Sequence, residues 1–162
     1  MLNGGLAAWT AAGHPLDSGD VIPEPGTVTL PGYSTAGVLD ARAAGERAAA
    51  GGLLDVRAAE RFRGENEPMD PRAGHIPGAR NLPFLHYLED GLFMSPARLR
   101  GLLAEVGIDS GEPLGTSCGS GITAAHAALA LAEAGIAADI YPGSWSQWSR
   151  RDDLPVETGP AR

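Results

Sequence analysis

Short apolar segments alternate with helical segments along most of this chain, and the alternation restricts the possible folds more than any other feature. Glycines and prolines separate the two kinds of segment. A strand, a helix and a second strand in succession require a crossover connection, which gives parallel strands. The sequence therefore predicts an α/β domain, a parallel sheet with helices on both faces. We predict strands at 27–30, 53–56, 79–82, 114–117 and 138–141, and helices over 1–13, from Ser34 to 49, and at 95–106, 121–133 and around 145–148.

Charge and composition exclude several classes of function. The chain of 162 residues carries 12 basic and 20 acidic residues, a net charge of −8, and has no run of Lys or Arg. Nucleic acids and anionic membranes are bound through clustered positive charge, so we expect neither as a partner. A single cysteine cannot form an internal disulfide, and no apolar run reaches 18 residues, so we expect a cytoplasmic protein.

Cys118 is the only cysteine and lies where a predicted strand passes into a predicted helix. The first amides of a helix have no partner within the helix, and with the helix dipole they stabilise an anion. This position therefore favours a thiolate, which is a nucleophile. A free cysteine is otherwise a small buried apolar residue, and only the flanking motifs favour the catalytic interpretation.

Four segments of the chain form a recognisable series. They are the segment 55–64, which begins Asp-Val-Arg; the turn 74–81, Gly-His-Ile-Pro-Gly-Ala-Arg-Asn; the loop 118–124, Cys-Gly-Ser-Gly-Ile-Thr-Ala; and the segment 141–148, Tyr-Pro-Gly-Ser-Trp-Ser-Gln-Trp. Taken in this order, the four resemble the rhodanese-type sulfurtransferases. The cysteine loop is most similar to that of the 3-mercaptopyruvate sulfurtransferases. The resemblance implies a rhodanese-like fold and an enzyme that carries sulfur as a persulfide on Cys118.

The resemblance also implies the reaction and its partners. Sulfur would move from an anionic donor, 3-mercaptopyruvate first and thiosulfate second, to cyanide or a thiol, either a small thiol or a thioredoxin-like protein. Thiosulfate is a compact dianion and suits a cationic loop, whereas positions 119 and 120 are glycine and serine. No cluster of His, Cys and carboxylates has metal-ligand spacing, so we predict no metal and no cofactor.

The donor's anionic group requires a cation. A guanidinium binds a carboxylate best, through paired hydrogen bonds, and the resemblance assigns this role to Arg61. Arg72 is the basic residue nearest the central turn and is the candidate for a second substrate arginine. We predict a structural role for Arg57, beside Asp55 at a strand end, and for His75 in its turn. The loop amides should surround the anionic sulfur and bind substrate, with unusual backbone angles at both glycines: Gly119, Ser120, Gly121, Ile122 and Thr123.

The two ends of the chain are similar in sequence. Residues 4–9 align with 143–148, and the tail 15–19 aligns with 155–159, in the same order of glycine, tryptophan, proline and glycine. We predict that residues 1–32 are the tail of an upstream rhodanese-like repeat plus a linker, and that 33–162 form the catalytic domain. An upstream domain or a second copy of the chain would then cover the cleft. The alternative is an N-terminal amphipathic helix that packs on this domain alone.

The sequence also bears on three other functions. Rhodanese-like phosphatases end the cysteine loop in an arginine, and no arginine occurs over 119–131, which argues against a phosphatase. The run from Gly119 to Ala124 matches G-x-G-x-x-A, a dinucleotide-binding pattern. Against this function, a single predicted strand follows the motif and Asp139 comes too early to bind a ribose. A non-catalytic or weakly active rhodanese-like module remains the main alternative.

Overall fold

The computed structural model describes residues 2–29, 37–109 and 111–161. Within these ranges the strands predicted after residue 50 and the predicted helices are present, with shifted ends. A short helix after the first strand, a 3₁₀ turn and a two-stranded antiparallel hairpin were not predicted. The strands are β1 (Leu53–Asp55), β2 (Arg80–Asn81), β3 (Leu88–Glu89), β4 (Leu92–Phe93), β5 (Leu114–Ser117) and β6 (Ala138–Ile140). The helices are α1 (Gly5–Ala11), α2 (Ala41–Ala49), α3 (Ala59–Phe62), α4 (Pro96–Glu105), α5 (Ile122–Glu133) and α6 (Ser144–Trp148), with a 3₁₀ turn at Phe84–Tyr87.

The main sheet is parallel and runs in the order β2-β1-β5-β6. Its two inner strands, β1 and β5, are in register, with Asp55 opposite Ser117. The carboxyl ends of both strands therefore meet at one edge, where ligands bind in open α/β sheets. Cys118 follows β5 directly at this edge.

Helices cover both faces of the sheet, which confirms the predicted fold class. Leu54, Leu103 and Leu131 belong to one buried cluster, formed with α4 and α5. Leu53 and Trp145 belong to the cluster on the opposite face, formed with α2 and α6. Adjacent residues of β1 thus point into different cores, as expected for a strand buried on both faces.

In the N-terminal part, the predicted strand at 27–30 is wrong over the residues described, and the second helix begins later than predicted. Residues 27–29 form no strand, and Leu30 lies outside the described residues. The outer edge of β6 is occupied instead by Val38, which forms a parallel bridge with Ile140. This extended segment also delays α2, which begins after Asp40, whose carboxylate accepts a hydrogen bond from the Ala43 N–H at 2.8 Å. The predicted start at Ser34 lies outside the described residues.

Candidate active site

Cys118 lies in a cavity of about 320 Å³ at the carboxyl edge of the sheet. The cavity joins three parts of the chain: the cysteine loop, the segment after β1, and α6. Because β1 and β5 are adjacent and parallel, the residues that follow them face one another across this space. The lining residues are Val56, Arg57, Ala58, Arg61, Met69, Asp70, Phe84, Cys118, Gly119, Ser120, Thr123 and Ser146.

The cysteine sulfur is held at the start of α5. The backbone N–H of Gly121 donates to Sγ of Cys118 at 3.1 Å. Gly121 is the N-cap of α5 and has φ 85°, and a Cβ at this position would lie 2.5 Å from the Pro142 carbonyl oxygen. A residue with a side chain therefore cannot take this position without local rearrangement. Hydrogen bonding and the helix terminus together stabilise negative charge on sulfur.

The other four predicted loop residues occupy different environments. Gly121 has a positive φ, one of the unusual backbone angles predicted for the two loop glycines, whereas Gly119 is not among the residues with positive φ. Ser120 is exposed at the cavity, and Thr123 lines it. Ile122 is 79% exposed and does not line the cavity. The structure therefore brings together Cys118, Gly119, Ser120 and Thr123 around one space, and directs the Ile122 side chain elsewhere.

The first turn of α6 fixes the backbone of the cysteine loop. Cys118 N–H donates to Oγ of Ser144 at 3.0 Å, and this hydroxyl donates to the Tyr141 carbonyl at 2.8 Å. The N–H groups of Trp145 and Ser146 donate to the carbonyls of Cys118 and Gly119 at 3.0 and 2.8 Å. Sequence reasoning assigned no role to Ser144, although it lies inside the 141–148 segment.

Arg61 lies against the cysteine loop. Its Nε and Nη2 donate to Glu67 at 3.3 and 2.6 Å, and Nη2 is 3.5 Å from Asp70. Nη1 is the nitrogen nearest Gly119, at 3.5 Å from where a Cβ of that residue would be. Nη2 is 3.8 Å from the same position, so both terminal nitrogens lie near the loop, and Nη1 is the one without a hydrogen bond to Glu67 or Asp70.

Arg57 has a structural role, as predicted. It is 4% exposed and makes a bidentate ion pair with Asp55, with Nη2 to Oδ2 at 2.7 Å. Its other contacts are Glu67 at 3.3 Å and the Gly74 carbonyl at 2.8 Å, and its guanidinium stacks on Trp145. These contacts fix the end of β1 to the central turn.

Arg72 does not line the cavity, so the structure lends no support to its assignment as a second substrate arginine, which stays a prediction. Its guanidinium donates at 2.7–3.0 Å to backbone carbonyls at the end of α6 and in the segment after it. The side chain stabilises the C-terminal turn of the domain. The accepting residues are Trp148, Ser149, Arg151 and Leu154.

Two buried carboxylates next to Arg61 were not found from the sequence. The side chains of Glu67 and Asp70 are 3% and 2% exposed. Burial raises the pKa of Glu67, but the hydrogen bond from Arg61 and the amides of Met69 and Asp70 outweigh it, so the pKa is lowered overall. Asp70 accepts from the Ser146 hydroxyl at 3.1 Å.

His75 is a buried residue of the central turn that contacts the backbone, as predicted. Its Nδ1 is 2.8 Å from the Phe62 carbonyl, and its ring stacks on Phe62 at 3.7 Å between centroids. Burial lowers the pKa of His75, because the interior disfavours imidazolium. The residue pairs with Glu157 through backbone hydrogen bonds in both directions.

None of the helices in the described ranges is both long and apolar enough to cross a bilayer. The same ranges contain no group of three His, Cys, Asp or Glu side chains that could hold a metal ion.

The fold and the cysteine loop agree with one protein family. The sequence profile of the rhodanese-like domain matches residues 35–151. This chain therefore belongs to the rhodanese-like domain family, and the resemblance stated above is confirmed.

Relatives and solved structures extend this comparison. The chain is 45% identical to the Mycobacterium tuberculosis protein named "Putative thiosulfate sulfurtransferase SseB", covering 99% of this chain and 58% of that protein. It is 36% identical to the Escherichia coli 3-mercaptopyruvate sulfurtransferase, covering 97% of this chain and 57% of the enzyme. A structure of an EanB variant with a cysteine persulfide and ergothioneine superposes with TM-score 0.82 at 26% identity, covering 98% of this chain and 41% of EanB. This chain thus spans little more than half the length of the curated relatives it matches.

Proposed function

We propose that the protein is a sulfurtransferase that carries sulfane sulfur as a persulfide on Cys118. The observation that carries this proposal is the sulfur of Cys118 in a cavity of about 320 Å³, bonded by the Gly121 amide and facing Arg61. A nucleophile, an anion-stabilising amide and a cation for the donor are the groups this chemistry needs. The names of the sulfurtransferases to which the chain is similar support the same reaction class.

The reaction has two sulfur transfers. The Cys118 thiolate attacks the sulfur of 3-mercaptopyruvate; the carbon–sulfur bond breaks, the enolate of pyruvate leaves and takes a proton, and the enzyme holds Cys–S–SH. An acceptor thiolate or cyanide then attacks the outer sulfur and regenerates the Cys118 thiolate. With thiosulfate the first step breaks a sulfur–sulfur bond and releases sulfite. The Gly121 amide stabilises the thiolate at the start and at the end of the cycle.

The charges at the cavity favour 3-mercaptopyruvate over thiosulfate. Arg57 is paired with Asp55 and Glu67, and Arg61 with Glu67 and Asp70, so both arginines are already balanced by buried carboxylates. A dianion would meet no excess positive charge here. A single carboxylate needs one set of donors, which Nη1 of Arg61 supplies. The exposed edge of Arg61 therefore suits a monoanionic donor, with thiosulfate as the second substrate.

The test is the intact mass of the protein after incubation with either donor. We expect a gain of one sulfur atom that disappears on addition of cyanide or dithiothreitol, which would act as acceptors. Cys118→Ser is the control and should gain nothing while keeping its fold, since serine is nearly isosteric. A parent chain that gains no sulfur from either donor would be a non-catalytic module of the family instead. We place the reaction in the cytoplasm, whose reducing conditions keep a thiol free.

We also propose that residues 1–32 are the tail of an upstream rhodanese-like repeat with its linker, and that 33–162 form the catalytic domain. The support is a shared local geometry: α1 and α6 each begin with a residue of positive φ, 59° at Gly5 and 48° at Ser144. Trp9 and Trp148 occupy matching positions, and each indole N–H donates at 2.8 Å to the carbonyl of a following proline. Within the described residues, α1 has no buried residue, whereas α6 packs on the cysteine loop.

A further inference from the structure

One buried carboxylate, Glu67, contacts both arginines that line the cavity. Its Oε2 accepts from Nη1 of Arg57 and from Nε of Arg61, both at 3.3 Å, and its Oε1 accepts from Nη2 of Arg61 at 2.6 Å. The Met69 and Asp70 amides donate to Oε1 at 3.1 and 3.3 Å. Glu67 therefore connects the rigid strand end at Arg57 to the guanidinium that faces the cysteine loop.

These contacts determine which edge of Arg61 is available to a ligand. With Nε and Nη2 bonded to Glu67, and Nη2 near Asp70, the nitrogen left over is Nη1. Within the described ranges, Nη1 makes no hydrogen bond or ion pair, and it is the nitrogen nearest Gly119. The side chain of Arg61 is 19% exposed and is long and rotatable, and Glu67 makes the shorter and more numerous contacts that hold this orientation.

We propose that Glu67 is a positioning residue for sulfur transfer: it orients Arg61 so that Nη1 receives the carboxylate of the donor beside Cys118. The inference rests on the proposed function, since it concerns the binding of an α-keto carboxylate at the same site. Glu67 touches neither the donor nor the sulfur. It acts through Arg61 and should affect donor binding more than the chemical step.

Asp70 allows orientation to be separated from charge. It is equally buried and equally negative, but it is 3.5 Å from Nη2 of Arg61 and makes its shorter contacts with Ser146 and Arg150. Neutralising either carboxylate makes the cavity more positive by the same amount. If Glu67 acts only through its charge, both neutral variants should bind an anionic donor more tightly. If Glu67 orients Arg61, neutralising Glu67 should weaken binding of the donor and neutralising Asp70 should strengthen it.

The first measurement needs no enzymatic activity. In the full chain, the Nε–H group of Arg61 should give a slowly exchanging NMR signal, which should weaken in Glu67→Gln and persist in Glu65→Gln. Glu65→Gln is the matched control, because the same substitution there affects an exposed Arg63–Glu65 pair of the same loop. Titration with pyruvate, the carboxylate product, should shift the Arg61 signal in the parent with a lower Kd than in Glu67→Gln. An Arg61 signal that is unchanged in Glu67→Gln would overturn the proposal.

The second measurement is steady-state turnover of 3-mercaptopyruvate. We expect Glu67→Gln to raise KM about fivefold, the difference between a charge-assisted and a neutral hydrogen bond, with a smaller change in kcat. Glu67→Asp keeps the charge but moves it away from Arg61, and should also raise KM, whereas Asp70→Asn should lower KM. A KM that falls in both neutral variants, or that stays constant in Glu67→Gln while only the Tm drops, would overturn the proposal. A parent chain that forms no persulfide yet shows the NMR and pyruvate differences would overturn the proposed function alone.

Discussion

The hydroxyl of Ser144 accepts a hydrogen bond from the backbone N–H of Cys118 at 3.0 Å, so the last helix of the domain holds the cysteine in place. Ser144 is fully buried and has φ 48°. Residues other than glycine and asparagine rarely adopt this left-handed backbone conformation. The same hydroxyl donates to the Tyr141 carbonyl, so two buried backbone groups depend on one side chain. Such a residue should be costly to replace.

Substitution of Ser144 tests this dependence. Ser144→Ala leaves the buried Cys118 amide without its acceptor, which should cost about 1–3 kcal/mol of unfolding free energy. Ser144→Gly loses the same bond but relieves the positive φ, and should be more stable than Ser144→Ala by about 0.5–1 kcal/mol. Urea denaturation of the parent and the two variants gives the order of their unfolding free energies. An alanine variant as stable as the parent would show that water replaces the hydroxyl without loss.

The two glycines of the cysteine loop should respond differently to alanine. At Gly121 a Cβ would lie 2.5 Å from the Pro142 carbonyl and φ is 85°, so Gly121→Ala should cost about 2–4 kcal/mol. At Gly119 a Cβ would meet the Arg61 guanidinium at 3.5 Å, an ordinary contact, so Gly119→Ala should change stability by less than about 1 kcal/mol. Thermal unfolding of the two alanine variants measures both stability changes. Equal losses of stability would contradict the different backbone conformations of Gly119 and Gly121.

The parts of the site that are local in sequence could be predicted, and the parts that depend on distant contacts could not. The strand before Cys118 and the glycine that caps α5 follow from a strand–turn–helix pattern of a few residues. The Asp70–Ser146 contact joins residues 76 positions apart, and no local pattern indicates it. The contacts of Arg72 show the same limit, since it was chosen for its nearness to the turn, whereas the carbonyls it binds lie 76–82 residues further along.

The composition of β5 also depends on tertiary contacts. Gly115 stands where a strand usually has a large apolar residue, because a Cβ there would lie 2.8 Å from Cδ1 of Leu39. The Thr116 hydroxyl is buried and donates to the Ala124 carbonyl at 3.2 Å. By β-propensity alone this segment is a poor strand, yet each of these residues fits the side chains and carbonyls packed around it. The start of α2 shows the same limit, since the bridge between Val38 and Ile140 delays the helix to Asp40.

The N-terminal segment should be dispensable for the stability of the catalytic domain. Within the described residues, α1 buries no side chain, and the Phe93 N–H bond to Asn3 at 3.3 Å is a weak and exposed contact. Deletion of residues 2–19 should therefore lower the Tm by less than about 4 °C, the shift that corresponds to roughly 1 kcal/mol in a domain of this size. Differential scanning calorimetry measures it. A drop well beyond this would favour the alternative, a helix that packs on this domain alone.

Donor binding should depend on Arg61 and not on its neighbour Arg63. Arg61→Ala removes the cation that faces the cysteine loop, and loss of a charge-assisted hydrogen bond of about 1.5–3 kcal/mol should raise KM for 3-mercaptopyruvate roughly ten- to a hundredfold. Arg61→Lys keeps the charge without the planar geometry, so its KM should lie between that of the parent and that of Arg61→Ala. Arg63→Ala is the control, because Arg63 pairs with the exposed Glu65 and does not line the cavity. Equal KM values for Arg61→Ala and the parent, with the Tm of each recorded, would remove Arg61 from the site.

The choice between donors should be adjustable at Ser120. This residue is exposed and lines the cavity near Cys118, where the second anionic group of thiosulfate would otherwise meet only balanced charges. Ser120→Lys adds an unpaired cation there and should increase kcat/KM for thiosulfate relative to 3-mercaptopyruvate. Ser120→Gln has a similar length without the charge and should leave the ratio unchanged. The effect should shrink as salt is raised, because an exposed charge is screened within about 10 Å at 0.1 M ionic strength. A parent chain that already prefers thiosulfate, or a lysine variant with the parent's ratio, would show that the charge balance around Arg61 does not select the donor.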